Sequence, residues 1–174
     1  MEFSLLPWRE AFIADVAKNA NNKAIAANLR DVFPFPYTED DARGYVEGCM
    51  LNDENQQLCR AIVINSEAIG SIGVFVKDDV YRKSAELGYW LAQPYWDQGV
   101  MTQAVKLLCQ EAFERFDIVR IFAEPYASNC GSRRVLEKAG FQQEGLFKNS
   151  VFKNGRLLDS CMYALLKQED PINA

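Results

Sequence analysis

The sequence predicts one α/β or α+β domain, and three observations support this prediction. Its 174 residues are enough for one substantial core but short for two domains. Hydrophobic residues make up 49% of the chain, which is typical of globular rather than disordered proteins. Segments of helical periodicity alternate with β-branched runs, without repeats or linkers. We therefore expect a single domain over residues 1–174, with its core at about 8–166.

The first third of the chain is predicted to be mainly helical. A short edge strand over 3–6 precedes two helical stretches, 8–19 and 21–29. Segment 31–37 contains two prolines, which restrict themselves and the residues before them, so an aromatic-rich extended loop is expected. A helix over about 39–52 follows a threonine that is a good N-cap.

From residue 57 the periodicity changes to that of β-structure. The β-branched runs 58–64 and 69–76, joined by a polar turn, predict a hairpin, and residues 84–92 predict a third strand. A helix over 99–116 is expected next. Its apolar stripe at i+4 spacing consists of Met101, Val105, Leu108, Ala112 and Phe116.

The last third predicts a strand, a helix and a hairpin. Residues 119–123 are predicted to form a buried strand, and the predicted helix 132–139 is closed by a glycine. Strands 145–153 and 156–166 meet at Asn154-Gly155, a strong two-residue turn signal.

Charge and hydropathy argue against several kinds of partner. The net charge of −5 disfavours a nucleic-acid surface and suits a cationic small substrate or a basic peptide. No apolar run approaches a membrane span, and the N-terminus lacks a signal-peptide pattern. We expect a cytoplasmic protein without a membrane partner, as a monomer or homodimer. The polar tail 167–174 is expected to fray.

Histidine is absent from the chain, which removes several kinds of chemistry. Serine–histidine and cysteine–histidine nucleophile pairs and HExxH zinc sites are excluded. The five cysteines are scattered without a CxxC pair, which favours reduced structural thiols and predicts no metal site. Any reaction must use carboxylates, hydroxyls, thiols, amines or ordered water.

Two segments, 86–104 and 124–141, each combine a strand, a polar turn and the start of an amphipathic helix. Helix N-termini present free N–H groups and a positive dipole end, which suits a phosphate-bearing ligand. Neither the GxGxxG nor the Walker fingerprint is present. The pair resembles the coenzyme A site of the GNAT superfamily of N-acetyltransferases, especially its ribosomal-protein N-alpha-acetyltransferase-like branch.

The resemblance extends over nearly the whole chain and implies both fold and activity. The fold would be a mixed, mostly antiparallel sheet of about seven strands flanked by helices. The reaction would transfer the acetyl group of acetyl-CoA directly to a primary amine of a protein N-terminus or a small molecule. The residues that match the family's cofactor contacts are Leu91, Ala92, Gln98, Gly99, Val100, Met101, Thr102 and Asn129. The amides of Leu91 and Ala92 would polarise the thioester carbonyl.

The chain departs from the family pattern at three positions. Aligned on Gly99, Trp96 and Met101 occupy the ends of the motif Q/R-x-x-G-x-G/A, and main-chain binding of pyrophosphate tolerates both. Leu136 stands where many members have an aromatic acid. By resemblance to the branch, Ser132 is the candidate for protonating or solvating the leaving thiolate, with a second capping hydroxyl as the alternative.

The acceptor amine needs a base. An alkyl ammonium with a pKa of about 10.4 is almost fully protonated at pH 7. Glu86 is the first choice, because it shares one strand face with Gly88 and Trp90 on the strand that leads into the cofactor turn. Glu124 is the second choice and Asp159 the third.

The acceptor pocket is expected to be lined by Phe33, Phe35 and Tyr37, with core packing as the alternative account. The basic residues of helix 132–139 suit either the 3′-phosphate of coenzyme A or a solvated helix face. Two other functions stay open. One is a non-catalytic acyl-CoA-binding sensor or scaffold, and the other is a phosphate-binding α/β module unrelated to acetylation.

Overall fold

Seven strands form one mixed sheet in the computed structural model, which describes residues 1–168. The strands are β1 (Ser4–Leu6), β2 (Gln57–Ile64), β3 (Glu67–Val76), β4 (Ser84–Leu91), β5 (Arg120–Ala123), β6 (Gln142–Lys153) and β7 (Arg156–Leu166). The helices are α1 (Ile13–Ala20), α2 (Lys23–Ala26), α3 (Glu39–Met50), α4 (Val100–Arg115) and α5 (Cys130–Lys138). Of the tail predicted to fray, residues 169–174 lie outside the described part.

The predicted helices and strands are present, and their bounds differ mostly by a few residues. The N-terminal stretch 8–19 divides into a 3₁₀ turn at Glu10–Phe12 followed by α1. The stretch 21–29 contains only the single-turn helix α2, whose N-cap Asn22 accepts a hydrogen bond of 2.8 Å from the Ala24 amide. An asparagine that caps a new helix favours a break between α1 and α2 rather than one continuous helix.

Local turn and cap signals account for the best-predicted boundaries. The side chain of Thr38 caps α3, and Asp41 completes the capping box by accepting from the Thr38 amide at 2.8 Å. Asn154 and Gly155 both have positive φ, as a two-residue hairpin turn between β6 and β7 requires. The β2–β3 turn also has two residues, which is shorter than the polar turn predicted.

The strand order is β1-β2-β3-β4-β5-β7-β6, and among the neighbouring strands of residues 1–168 only the pair β4–β5 is parallel. Two apolar clusters cover the two faces of the sheet. One includes residues of α4 and α5, and the other includes residues of α1, α2 and α3. The predicted stripe of α4 is buried in the first cluster. Because both faces are covered, alternate residues of β4 enter different clusters.

The parallel pair is short, and this shortness creates a gap in the sheet. Ser84–Glu86 of β4 pairs with Arg120–Phe122 of β5. β5 ends at Ala123, whereas β4 continues to Leu91 along β3. The carboxyl half of β4 therefore has a free edge. Over residues 1–168, no helix combines the length and the apolar character that a bilayer crossing requires.

Candidate active site

A cavity of about 490 Å³ lies where β4 and β5 separate, and we call it the larger cavity. It is lined by the end of β4, the first turns of α4 and α5, and residues of and after α2. This is the carboxyl end of adjacent parallel strands, where open sheets that contain parallel strands commonly bind ligands. Its volume lies within the usual range for small-molecule sites, about 300–1,000 Å³.

The first turn of α4 presents uncapped amides to the larger cavity. Gly99 is the N-cap residue with φ 78° and provides no side-chain cap. A left-handed residue at this turn favours glycine, although a Cβ atom there would meet nothing within 4 Å. The first main-chain hydrogen bond of α4 is donated by the Gln103 amide to the Gly99 carbonyl, at 3.1 Å. The amides of Val100 to Thr102 precede it and therefore have no partner within the helix.

A second helix N-terminus faces the same cavity. The side chain of Asn129 caps α5 by accepting a hydrogen bond of 3.1 Å from the Ser132 amide. Asn129 to Ser132 all line the cavity. Two dipole ends and their amides thus meet around one space, which favours an anionic ligand.

Ser132 is hydrogen-bonded to a residue that the sequence analysis did not single out. Its Oγ atom lies 2.7 Å from the hydroxyl of Tyr89 on β4. Burial raises the pKa of Tyr89 above its ordinary value, so the phenol stays protonated at neutral pH. Leu136, one helical turn further on, is fully buried in the core. Side chains alternate between the two faces of β4, so Tyr89 lies on the face opposite to that of Glu86. This alternation is the only signal in the sequence that indicates the position of Tyr89.

The two predicted amide donors on β4 differ in what they already bind. The Ala92 amide donates to the Ile69 carbonyl at 2.8 Å, so it is not free to polarise a thioester. Because an antiparallel ladder alternates, the Leu91 amide and carbonyl face the gap instead. The Leu91 carbonyl accepts a hydrogen bond from Trp96 Nε1 at 2.7 Å. Of the two amides, that of Leu91 is the one directed at the larger cavity.

The carboxylate predicted as the base, that of Glu86, is not among the described residues that line this cavity. Glu86 shares its face of β4 with Trp90, as expected, and forms ion pairs with Arg30 and with Lys77, the latter at 3.7 Å. Gln98 is also outside the lining, and its side chain donates to the Pro94 carbonyl.

A smaller cavity of about 260 Å³ contains the second-choice carboxylate. Glu124, at the end of β5, accepts a hydrogen bond of 2.6 Å from the buried hydroxyl of Ser160. In the same cavity Lys153, whose side chain is 8% exposed, donates to Asp31 at 2.7 Å. The lining residues are Arg30, Asp31, Glu124, Tyr126, Ser150, Val151, Phe152 and Lys153.

Tyr126 joins the walls of the two cavities by two hydrogen bonds, one of which is from the Asn129 amide to its carbonyl at 2.9 Å. The hydroxyl of Tyr126, which lines the smaller cavity, donates to the Leu29 carbonyl at 3.0 Å. Leu29 itself lines the larger cavity. The third-choice carboxylate, Asp159, accepts from the Asn149 amide at 2.8 Å.

Two of the three aromatic residues predicted for the acceptor pocket, Phe33 and Tyr37, lie on the α1–α3 face of the sheet. Phe33 and Tyr37 pack together with ring centres 4.8 Å apart, and the ring centres of Phe33 and Trp90 are 6.0 Å apart. Burial raises the pKa of Tyr37 to about 12. Phe35 is half exposed. Over the described residues, the lining of the two cavities does not include these three side chains.

The basic residues of α5 divide into two groups. Arg134 and Lys138 line the larger cavity and are exposed. Arg133 is engaged elsewhere, because it donates to the Ala127 carbonyl at 3.1 Å and to the Tyr163 hydroxyl at 3.2 Å. Arg134 and Lys138 are therefore the two free to meet a phosphate.

A mixed sheet that opens between two parallel strands, with a helix N-terminus on each side of the gap, defines an acyl-CoA N-acyltransferase type of domain. Comparison of the sequence with protein families agrees with this class, because the family model of the acetyltransferase (GNAT) domain matches residues 3–142. The chain belongs to this family, and the predicted GNAT fold is confirmed.

Curated relatives include bacterial N-acetyltransferases. The probable N-acetyltransferase YjcK of Bacillus subtilis is 37% identical over 102 residues, which are 59% of this chain and 56% of the relative. The ribosomal-protein-serine acetyltransferase of Escherichia coli is 30% identical over 131 residues, 75% of this chain and 73% of the relative. The matches to YjcK and to the putative ribosomal N-acetyltransferase YdaF span little more than half of those proteins.

Solved structures share the fold over nearly the whole chain. The ribosomal L7/L12 alpha-N-protein acetyltransferase RimL, in complex with coenzyme A, superposes with a TM-score of 0.83 at 25% identity. That match covers 94% of this chain and 93% of RimL. The microcin C7 self-immunity acetyltransferase MccE, in complex with acetyl-CoA and AMP, has a TM-score of 0.84 at 22% identity, over 95% of this chain and 93% of MccE.

Proposed function

We propose that this protein transfers the acetyl group of acetyl-CoA to a primary amine, by direct transfer in a ternary complex. One observation carries the proposal: the larger cavity brings together two helix N-termini, the free amide edge of β4 and the hydroxyl of Ser132. Acetyl transfer by the E. coli relative, and the coenzyme A held by RimL, support the same reaction here.

The cofactor would lie with its phosphates at α4 and its thioester at β4. The amides from Gly99 to Thr102 suit the pyrophosphate, because helix N-termini bind anions through main-chain donors. Arg134 and Lys138 would meet the 3′-phosphate. Asn129 would bond the pantetheine arm, and the Leu91 amide would stabilise the oxyanion that forms on the acetyl carbonyl.

The acceptor would approach from the smaller cavity. Glu124 lines this cavity, and Ser160 donates to one of its two carboxylate oxygens. The other oxygen suits an incoming ammonium group. We propose Glu124 as the base, directly or through one water, with Glu86 as the alternative. Two ion pairs hold Glu86, and an ammonium would have to compete with both.

The balanced charge of the smaller cavity favours one class of acceptor. Arg30 and Lys153 line it together with Asp31 and Glu124, so the lining has no net formal charge that would attract a polycation such as a polyamine. The α-amine of a peptide is followed by carbonyl groups, which accept hydrogen bonds from cations such as Arg30 and Lys153. Its pKa of about 7.7–8.0 also makes deprotonation easier than for an alkyl ammonium. We therefore propose the N-terminus of a protein or peptide as acceptor, ahead of a small amine.

A non-catalytic acyl-CoA sensor is the second candidate. It is favoured by Leu136, which is buried in the core and cannot supply the proton that an aromatic acid would. In that case the cavity would bind the cofactor without transferring its acetyl group.

The test is a screen of acetyl-CoA consumption against N-terminal peptides and small amines, read as release of coenzyme A thiol and as acetyl mass on the acceptor. We expect peptides with a free α-amine to be acetylated and their N-terminally blocked counterparts not to be. Cofactor binding without acetylation of any acceptor in the screen would favour the sensor.

A further inference from the structure

The hydroxyl groups of Tyr89 and Ser132 form a pair in the larger cavity. Tyr89 Oη lies 2.7 Å from Ser132 Oγ and 3.4 Å from the Ser132 main-chain oxygen. The shorter contact has the length of a good O–H···O hydrogen bond, and the longer one does not. The two residues belong to β4 and α5, and both line the cavity.

The acidity of the two hydroxyls decides which one donates. Desolvation raises the pKa of the Tyr89 phenol, so it keeps its proton. A phenol is a stronger acid than an aliphatic alcohol and therefore the better donor, so Tyr89 gives the hydrogen bond to Ser132 Oγ. A serine hydroxyl that accepts one hydrogen bond still has its own hydrogen to donate. That hydrogen is then left for a group in the cavity.

We propose that Tyr89 is a positioning residue, which holds the Ser132 hydroxyl in the orientation that solvates the departing coenzyme A thiolate. This inference rests on the proposed function. In the transfer, the amine nitrogen bonds to the thioester carbon and the C–S bond breaks, with the electron pair leaving on sulfur. The nitrogen loses its extra proton to the base, and the thiolate later takes a proton from solvent.

Neither hydroxyl changes its protonation in this scheme. A serine hydroxyl is a far weaker acid than a thiol, whose pKa is about 8.5, so proton transfer from Ser132 to the thiolate would be uphill. A hydrogen bond to the thiolate stabilises it without that transfer. Tyr89 donates to one lone pair of Ser132 Oγ and so orients the serine hydroxyl before the thiolate forms. The hydroxyl then needs no reorientation when the C–S bond breaks.

The test is the pKa of the thiol of bound coenzyme A, followed by the ultraviolet absorbance of its thiolate in wild type, Ser132→Ala and Tyr89→Phe. A donated hydrogen bond lowers this pKa, so we expect it below the free value in wild type and closer to the free value in both variants. Tyr89→Phe should also lower kcat about 3- to 10-fold, the effect of one neutral hydrogen bond, with little change in KM for acetyl-CoA. The double variant should be no slower than Ser132→Ala, because the two hydroxyls act as a unit.

A matched control exists on the other face of the sheet. Tyr45 Oη lies 2.6 Å from Ser71 Oγ, a hydroxyl pair between α3 and β3. Tyr45→Phe removes a comparable hydrogen bond and should lower thermal stability while it leaves the bound thiol's pKa and kcat unchanged. If Tyr89→Phe behaves like Tyr45→Phe, Tyr89 has only a structural role and the inference is overturned. Wild type that fails to bind coenzyme A would overturn the proposed function as well.

Discussion

At the scale of single residues, the carboxylates near the gap differ mainly in what already holds them. Glu86 is engaged by the cations of Arg30 and Lys77. Glu124 is engaged by one neutral hydroxyl, that of Ser160. A base must come close to the ammonium group, and at Glu86 that ammonium would have to compete with two cations that already hold the carboxylate. The two glutamates therefore make opposite predictions.

We expect Glu124→Gln to lower kcat/KM by about 10²–10⁴-fold and to flatten the acidic limb of its pH profile, because glutamine cannot accept the proton. Glu86→Gln, the matched variant, should change kcat/KM only a few-fold and lower stability slightly through the lost ion pairs. Steady-state kinetics over a pH series measure both. The opposite ranking would return the role to Glu86, and small effects in both would indicate water-relayed deprotonation.

At the scale of elements, the end of β4 is positioned by an irregularity in its neighbour β3. The β2–β3 register runs from Ile62 opposite Gly70 to Val63 opposite Ala68, so Ile69 is an extra residue. The Ile69 carbonyl accepts a hydrogen bond from the Ala92 amide at the end of β4. A Cβ atom on Gly70 would lie 2.6 Å from the Trp90 carbonyl oxygen, so glycine permits this close approach.

Gly70→Ala should therefore destabilise the protein and move the end of β4. The overpacking is expected to cost about 1–3 kcal/mol of the free energy of unfolding, and acetyl-CoA affinity should fall with it. Urea denaturation and calorimetry measure the two effects. Gly48→Ala on α3 is the control, since a Cβ there meets nothing within 4 Å and alanine should stabilise the helix by about 0.5–1 kcal/mol. Equal stability of the two variants would contradict this account of the bulge.

The helices and strands were largely predictable because the sequence signals for them are local. The cap at Thr38, the turn at Asn154-Gly155 and the stripe of α4 depend on residues close in sequence. The gap was not predictable in detail, because it depends on β5 ending before β4 does. Alternation correctly grouped Glu86 with Trp90, but both faces of the sheet are buried, and the sequence does not show that α5 covers the face of Tyr89.

At the scale of the whole molecule, the absence of histidine sets the pH response of stability. Among residues 1–168, four carboxyl groups have a pKa lowered by a hydrogen-bond or ion-pair partner, and none of these partners is a histidine. They are Asp41 with Thr38, Glu54 with Arg115, Glu67 with Lys18 and Asp117 with Lys83. Because each folded pKa lies below the unfolded value, the unfolded state binds protons first as the pH falls.

The melting temperature should therefore change little between about pH 5.5 and 7 and fall as the pH drops below about 4.5. The stabilisation is fully present above the ordinary values of 3.8 for aspartate and 4.5 for glutamate, and is lost as the pH falls through the lower folded values. Calorimetric scans over a pH series measure this. A steep change between pH 5.5 and 7 would contradict the assignment to carboxylates.

We propose that acetyl-CoA binds in the larger cavity with its phosphates at the first turn of α4. The most direct test is calorimetric titration of acetyl-CoA into wild type, Gly99→Val and Gly155→Val. Both glycines have positive φ and open space for a Cβ, so both substitutions strain the backbone by roughly 1–2 kcal/mol or more. Only Gly99 lines the larger cavity. We predict micromolar binding to wild type and to Gly155→Val, and at least about tenfold weaker binding to Gly99→Val. Unchanged affinity in Gly99→Val, or no heat with wild type at millimolar cofactor, would contradict this position of the cofactor.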